Sequence, residues 1–293
     1  MLRRRAIRAR RPAAFGGAVT SAGPAPAALL ALARETAMEA GELLLTRHGQ
    51  VSVVQTKSSP TDVVTEMDQA SERLIRDRLA SARPGDAVLG EEGGESGTGP
   101  VRWVVDPLDG TVNYLYGLPN WAVSIAAEVD GEVVAGAVCA PMLRCTYTAA
   151  LGSGSWVESA WRTGPERLAC TTGVRLSDAL VATGFGYPVW QRAAQGAVVA
   201  EVLPRVRDIR RAGAAAVDLC AVAAGQVDAY YEQGTHRWDI AAGGLIAREA
   251  GAVTGGLRGA TAGRAMTLAA SAGLFAELHD LLASLDADQL AGP

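Results

Sequence analysis

Apolar positions recur with helical spacing in some segments of the chain and as short strand-like runs in others. Leucines and alanines at helical spacing predict an amphipathic helix over residues 28–47, and a second helix is predicted over 69–82. Two apolar runs within 121–141 are joined at Asp130-Gly131, a dipeptide that favours tight hairpin turns. The first half of the chain is therefore expected to be rich in hairpins.

The second half alternates between helical and strand patterns. Two of its predicted helices end at a glycine, which is common at helix carboxyl termini. The helices are predicted over 192–206, 212–225, 238–251 and 274–285, with a strand over 227–232. This arrangement indicates a mixed α/β (α+β) fold with two subdomains, at 27–150 and 151–293.

Composition adds a distinct segment at the amino-terminal end. The net charge is −4, but six arginines lie among the first eleven residues, which leaves −10 for the rest. Residues 1–26 are rich in Arg, Ala, Pro and Gly, a composition that predicts a disordered tail rather than an export signal. The acidic remainder argues against general nucleic-acid binding and suits a site that collects cations.

Cysteine and histidine usage restricts the chemistry further. The chain has four cysteines, no C-x-x-C pair and three histidines, so no zinc cluster is expected. We interpret the cysteines as reduced thiols of a cytoplasmic protein. No window of 18 uninterrupted apolar residues is present, so no membrane-spanning helix is predicted.

Acidic residues stand where predicted strands or helices begin or end. Each of these positions has an ordinary structural explanation, such as a solvated loop, a turn or the first turn of a helix. Together, however, crowded carboxylates repel one another unless cations neutralise them, and ligation by oxygen alone favours Mg²⁺, Mn²⁺ or Ca²⁺. A phosphate ester is the substrate that such a site implies. The positions are Glu91-Glu92, Asp106, Asp109 and Asp239.

Four further residues extend this pattern. Gly110 allows close backbone approach, and the Thr111 hydroxyl could cap the following segment or orient a water. Asp68 is a candidate acceptor of the Thr111 proton, or the cap of its own helix. Lys57 is the single lysine among 27 basic residues, which suggests either a need for a compact ammonium or chance.

Four sequence blocks resemble the inositol monophosphatase family, the Mg²⁺-dependent, lithium-sensitive phosphatases, and the resemblance covers about residues 28 to 285. The blocks are KSSPTDVVTEMD, GEE, WVVDPLDGTVNY and WDIAAGGLIAREAG. The resemblance implies a layered αβαβα sandwich, a homodimer, and two to three Mg²⁺ ions between the two halves, with Mn²⁺ as an alternative. The segment after the central strands, SWVESAWRTGPERLA, departs from the family pattern.

The resemblance also implies roles for individual residues. It places the first metal on Glu91, Asp106 and the Leu108 carbonyl, the second on Asp106, Asp109 and Asp239, and a third near Glu91. It assigns catalytic roles to Glu91, Asp68, Thr111 and Lys57, with support from Glu92. It assigns substrate contacts to Asp109, Gly110, Thr111, Ala215, Glu232 and Asp239, and places His236 near the rim of the substrate site.

The sequence therefore predicts a Mg²⁺-dependent phosphomonoesterase that acts on myo-inositol 1-phosphate or a similar polyol phosphate. The same chemistry on histidinol phosphate, fructose 1,6-bisphosphate or adenosine 3′,5′-bisphosphate is the first alternative. A regulatory binding protein of the transcription machinery is a lower-ranked one, and a passive Ca²⁺ module lacks the required loop spacing. We expect no membrane partner, and no nucleic-acid partner except through the Arg-rich tail.

Overall fold

A computed structural model describes residues 24–50, 53–56, 63–161 and 163–289. Lys57 and residues 1–23 of the predicted tail lie outside the described residues. The helices are α1 Pro26–Leu45, α2 Glu66–Ala82, α3 Thr111–Leu115, α4 Val189–Val202, α5 Ala215–Ala223, α6 Arg237–Glu249 and α7 Ala272–Ser284. The strands are β1 Val53–Thr56, β2 Val63–Thr65, β3 Ala87–Gly90, β4 Gly94–Ser96, β5 Val101–Asp109, β6 Ala122–Val129, β7 Glu132–Ala140, β8 Cys145–Ala150, β9 Ser155–Ser159, β10 Glu166–Arg167, β11 Leu180–Thr183, β12 Asp208–Arg210, β13 Ala229–Glu232, β14 Val253–Gly255 and β15 Thr267–Ala270.

The described strands form two large sheets and a small one. The eight-stranded sheet has the order β10-β9-β8-β7-β6-β5-β3-β4 and is antiparallel except for the pair β3 and β5. The five-stranded sheet has the order β12-β11-β13-β15-β14, with β11 parallel to both β12 and β13. Strands β1 and β2 pair by themselves.

Four apolar clusters hold these sheets in a five-layer stack. In β5, Trp103 packs towards α1 and α2, whereas the next residue, Val104, packs towards α5 and α6, because successive strand residues point to opposite faces. In β13, Tyr230 packs towards α5 and α6, and Tyr231 towards α4 and α7. The order helix, sheet, helix, sheet, helix confirms the predicted αβαβα sandwich.

Most of the predicted elements are present, with shifted ends. Helix α1 starts at Pro26 and α2 at Glu66, in each case a few residues before the sequence pattern indicated. The predicted hairpin turn is confirmed, since Asp130 and Gly131 both have positive φ, at 53° and 81°. The subdomain division at 150/151 stays a prediction; the larger sheet continues beyond it to Arg167.

The predicted state of the cysteines agrees with the structure, in which all four are free and only Cys145 is not fully buried. In the part of the chain that the structure describes, no helix is both long and apolar enough to cross a membrane.

Small residues let the middle helix layer, which consists of α5 and α6, approach the larger sheet closely. Gly136 of β7 lies against α6, where a Cβ at position 136 would come within 3.0 Å of the Ala242 Cα atom. On its other side α6 packs on α5, and a Cβ at Gly243 would come within 2.9 Å of the Leu219 Cβ atom. The contact between sheet and helix is therefore set by backbone approach rather than by long side chains.

We expect Gly136→Val to lower the free energy of unfolding by about 1–3 kcal/mol, the usual cost of overpacking a filled core. The reason is that the added methyl groups must displace the backbone of α6. Urea denaturation measures the effect. Gly196→Ala is the control, because α4 has open space at that position and alanine favours a helix, so it should be neutral or stabilising. Equal stability of Gly136→Val and the unmodified chain would contradict this account of the packing.

Candidate active site

The candidate site lies at the carboxyl end of β5. Its pairing with β6 shifts register between Asp106 and Asp109, an irregularity of the kind that re-aims side chains at strand ends. The Leu108 amide donates a hydrogen bond of 3.0 Å to Asp106 Oδ1. Pro107 and Leu108 thus form a rigid bridge between two buried aspartates.

Asp109 connects the larger sheet to the middle helix layer. Its carboxylate accepts hydrogen bonds from the amides of Ala215, at 3.2 Å, and Ala216, at 2.7 Å, in the first turn of α5. An anion is favourable there because the first amides of a helix lack partners within the helix. The predicted contact of Ala215 with a substrate hydroxyl stays a prediction, and its amide is already engaged by Asp109.

Asp239 comes to the same region from the first turn of α6. Its Oδ2 atom accepts a hydrogen bond of 2.7 Å from the amide of His236, so Asp239 serves the helix terminus as well as facing the other carboxylates. The exposed His236 ring stacks on Trp238, with 4.8 Å between centroids. This stack holds the His236 ring against the first turn of α6, and the predicted place of His236 at the rim of the substrate site stays a prediction.

Glu91 follows β3, which runs parallel to β5, so the carboxyl ends of both strands meet at one edge. The Glu91 amide donates to the Val105 carbonyl at 3.2 Å. This contact continues the ladder between the two strands and holds Glu91 beside the end of β5.

Glu72 of α2 fixes the rest of the acidic loop, and the sequence analysis missed it. The Glu72 side chain is 3% exposed and accepts hydrogen bonds from the amides of Glu92, at 2.7 Å, and Gly93, at 2.8 Å. Arg76 donates to Glu72 at 2.7 Å and to the Gly94 carbonyl at 2.6 Å. In the sequence, Glu72 and Arg76 form an ordinary i,i+4 pair on a helix, so no local signal distinguishes them.

Burial and neighbouring charges raise the pKa values of the three aspartates. Burial is the largest cause for each aspartate: it raises the pKa of Asp109 to about 7 and those of Asp106 and Asp239 well above the ordinary range. The charge of Glu91 raises all three further. Among the described residues, no group of three or more His, Cys, Asp or Glu side chains could hold a metal ion as it stands. Each aspartate has an oxygen bound to a backbone amide instead.

Asp68 and Thr111 form a hydrogen-bonded pair beside these carboxylates. Thr111 Oγ1 lies 2.9 Å from Asp68 Oδ1 and 3.1 Å from the Leu108 carbonyl, so the hydroxyl donates towards acceptors and does not cap an amide. Asp68 Oδ2 accepts from the Thr65 amide at 2.8 Å and from the Thr65 hydroxyl at 2.5 Å. Asp68 therefore supports the start of α2 and holds Thr111 at the same time. Burial, the largest cause, raises its pKa.

Two further acids, the partly buried Glu232 and the buried Asp218, lie on the side of α5. Tyr230 donates a hydrogen bond of 2.9 Å to Glu232 Oε2, and burial raises the pKa of Glu232. Asp218 of α5 is also buried, and burial with the charges of Glu232 and Asp109 raises its pKa to about 8. Sequence analysis missed Asp218; its only signal was an acid within an alanine-rich helical run.

Most of the predicted site residues therefore lie in one region. Glu91, Asp106, Asp109 and Asp239 lie close enough for their charges to affect one another's ionisation. Asp68 and Thr111 are joined by a hydrogen bond. Glu232 joins them through its electrostatic effect on Asp109 and Asp239.

Comparisons with known proteins identify the family that this chain and its fold match. The family model described as "Inositol monophosphatase family" matches residues 26–289. The Mycobacterium leprae protein named inositol-1-monophosphatase is 49% identical over 247 residues, covering 78% of this chain and 83% of that protein. A Xylella fastidiosa protein named Nus factor SuhB is 37% identical over 232 residues, covering 78% of this chain and 82% of that protein. The structure of Mycobacterium tuberculosis SuhB has a TM-score of 0.77 and 44% identity, covering 90% of this chain and 99% of that one.

We expect Glu72→Gln to speed hydrogen exchange at the Glu92 and Gly93 amides and to lower the free energy of unfolding by about 1.5–3 kcal/mol, the range for hydrogen bonds to charged groups. The amide of glutamine cannot accept from both loop amides and from Arg76. Hydrogen exchange and urea denaturation measure the two effects. Glu66→Gln on the same helix is the control, since Glu66 and Arg47 form an exposed pair. Unchanged exchange at both amides would show that Glu72 does not hold the loop.

Proposed function

The chain belongs to the inositol monophosphatase family, and from that premise we propose that it is a Mg²⁺-dependent phosphomonoesterase acting on myo-inositol 1-phosphate or a similar polyol phosphate. It is an enzyme with the fold and the general phosphatase activity of that family. The observation that supports the finer proposal is the crowding of Glu91, Asp106, Asp109 and Asp239 beside the Asp68–Thr111 pair. Acidic groups beside a hydrogen-bonded acid–hydroxyl pair are what metal-assisted attack of water on a phosphate ester needs, and this supports the proposal.

The donor set fits Mg²⁺. Proteins of this family generally depend on metal ions, and hard cations such as Mg²⁺ take carboxylate and carbonyl oxygens. We propose that Glu91, Asp106, Asp109, Asp239 and the Leu108 carbonyl hold two to three Mg²⁺ ions. When bound, Mg²⁺ would lower the pKa of the attacking water and neutralise charge on the phosphate and the leaving oxygen.

Thr111 and Asp68 supply the acid–base part of the proposal. The Thr111 hydroxyl donates to Asp68 Oδ1 at 2.9 Å, which leaves its lone pairs able to accept a hydrogen bond from the attacking water. Because burial raises the pKa of Asp68, this carboxylate is a stronger base than an exposed aspartate. A proton leaving the water passes to the Thr111 oxygen as the Thr111 proton passes to Asp68. The Thr65 contacts on Oδ2 keep Oδ1 turned towards Thr111.

Substrate contacts follow from the same neighbourhood. Gly110 has φ 88° and precedes α3, a conformation that glycine adopts without strain. We propose that the amides of Gly110 and Thr111 contact the phosphate. Glu232 accepts from Tyr230 through Oε2, which leaves Oε1 to accept hydrogen bonds from substrate hydroxyls.

Other substrates and a regulatory role stay alternatives to this proposal. The same carboxylates and the Asp68–Thr111 pair would serve histidinol phosphate, fructose 1,6-bisphosphate or adenosine 3′,5′-bisphosphate. A relative in Xylella fastidiosa is named Nus factor SuhB, so a role with the transcription machinery is the second candidate. The homodimer, the cytoplasmic location, lithium inhibition and the role of Lys57 stay predictions.

We expect phosphate release from myo-inositol 1-phosphate only when Mg²⁺ is present. The purified protein would be assayed with and without Mg²⁺ on this ester and on the three alternative phosphates, and kcat/KM compared. A preference for one of the alternatives would keep the chemistry and change the substrate. A folded protein that releases phosphate from none of them would contradict the proposal and favour the regulatory candidate.

Variants of Thr111 test the acid–base pair within the same assay. Thr111→Val preserves shape but removes the hydroxyl and should lower kcat by about 100-fold, the size typical of lost general acid–base catalysis. Thr111→Ser retains the hydroxyl and is the matched control, with kcat close to that of the unmodified protein. Equal kcat in Thr111→Val and Thr111→Ser would exclude Thr111 from proton transfer.

We also expect Mg²⁺ to raise the melting temperature, and more so at about pH 8 than at about pH 6. Burial raises the pKa of Asp109 from its ordinary value of 3.8 to about 7 in the folded state. The folded protein therefore binds this proton more tightly than the unfolded chain, and the free energy of unfolding falls as the pH rises from about 4 to about 7. Mg²⁺ favours the ionised carboxylates of the folded state and offsets this loss. Scanning calorimetry measures the shift, with NaCl at equal ionic strength as the control. The same shift in NaCl, or no shift at either pH, would contradict a Mg²⁺ site.

A further inference from the structure

A cavity lies on the side of α6 that faces away from Asp239. Residues three or four positions apart lie on the same face of a helix, whereas Asp239, two positions after Arg237, points to the opposite face. The cavity has a volume of about 240 Å³. Its wall on α6 consists of Arg237, Ile240, Ala241, Gly244 and Arg248.

Three layers of the fold meet around this cavity. The turn between β6 and β7 closes one side through residues 131–133, and Leu219 of α5 closes another. Thr254 of β14 and Thr267 of β15 line it from the smaller sheet. The volume is below the ~300–1,000 Å³ that larger ligands occupy, so the cavity suits a small metabolite.

Arg248 gives this cavity a weakly neutralised positive charge. Its one hydrogen bond within the described part of the chain is a long contact of 3.4 Å to the Thr254 hydroxyl, and no described carboxylate lies within ion-pair distance of it. Partial burial, the largest cause, and the charge of Arg237 lower the pKa of Arg248. An anion placed between the two guanidinium groups would relieve this repulsion.

Arg237 brings a second positive charge to this cavity, and it shares its buried partner with Arg102, which also contacts the exposed Glu95 at 3.4 Å. Arg237 donates to Glu128 through Nε at 2.6 Å, and a second contact joins its Nη2 atom to the same Oε1 oxygen. Arg102 donates to the other oxygen of Glu128 at 2.7 Å. One buried carboxylate therefore serves two arginines. Glu132, exposed on the hairpin turn, is the acidic residue in the cavity wall, and its charge raises the pKa of Arg248.

We propose that this cavity binds a small organic anion whose carboxylate or phosphate group pairs with Arg248 and Arg237. The apolar part of the ligand lies against Ile240, Ala241 and Leu219, and the Thr254 hydroxyl donates a hydrogen bond to its anionic group. Guanidinium groups match the planar oxygens of carboxylates and phosphates, which is why arginine recognises them. The site does not depend on the proposed phosphatase function, and it lies across α6 from the acidic residues.

Calorimetric titration of the full chain tests the proposal with valerate, benzoate and ethylphosphonate as probes. At least one of these anions should bind with one-to-one stoichiometry and a Kd of about 1 mM or tighter. Valeramide, which has the shape of valerate without its charge, should bind at least about tenfold more weakly. The carboxylate and phosphonate probes show which oxyanion the site prefers.

Variants then assign the binding to this cavity. Arg248→Gln should weaken the anion by about tenfold or more, and Glu132→Gln should tighten it, because Glu132 competes for the same charge. Gly244→Leu should abolish binding by filling the cavity; a Cβ at 244 would meet only Arg248 Nη1, at 3.6 Å, so the helix accommodates the change. Arg205→Gln is the control, since Arg205 is exposed and 3.8 Å from Glu201.

Circular dichroism and melting temperature would establish that each variant is folded. A phosphonate that binds at the acidic site instead would retain its affinity in Arg248→Gln and in Gly244→Leu, and this result would count against the proposal. The absence of saturable binding for all three anions, or an equal affinity in Arg248→Gln and the unmodified chain, would overturn it.

Discussion

The crowding of Glu91, Asp106, Asp109 and Asp239 between the layers is the constraint on which the rest of this structure depends. Burial removes the water that would solvate these charges, and the charge of Glu91 raises the pKa of all three aspartates. The fold accommodates them by giving each aspartate a backbone amide, from the β5 bridge, the start of α5 or the start of α6. These amides place the acidic residues and join the layers at the same point.

The need of the aspartates for backbone amides determines where the middle helix layer, α5 and α6, lies. Asp109 binds the first turn of α5, and α6 brings Asp239 to the same region, so both helices must lie directly on the larger sheet. Gly136 and Ala242 make this approach possible because neither has a side chain long enough to separate sheet and helix. The high content of small residues and the low content of aromatic ones thus serve the position of the site.

Helix α6 separates two regions of opposite charge. Asp239 faces the acidic site, while Arg237 and Arg248 face the cavity on the other side. Glu128, which is 2% exposed and bound by both Arg102 and Arg237, ties the start of α6 to β6. Arg248, which has no described carboxylate within ion-pair distance, and Arg237, which shares Glu128 with Arg102, are the basis of the proposed anion site.

The sequence by itself determined the longer helices, the hairpin turn at Asp130-Gly131 and the motif of Asp106 and Asp109, because each depends on residues close together in the chain; the short helix α3 was not predicted. The family resemblance added the five-layer order and named the candidate ligands. Only the tertiary structure revealed Glu72 as the support of the acidic loop, the burial of Asp218 and the cavity beside Arg248. Glu72 is 20 residues from its loop partner, and the cavity wall combines β7, α5, α6 and two strands of the second sheet. Such contacts depend on how the layers stack, which no local pattern of apolar and polar residues specifies.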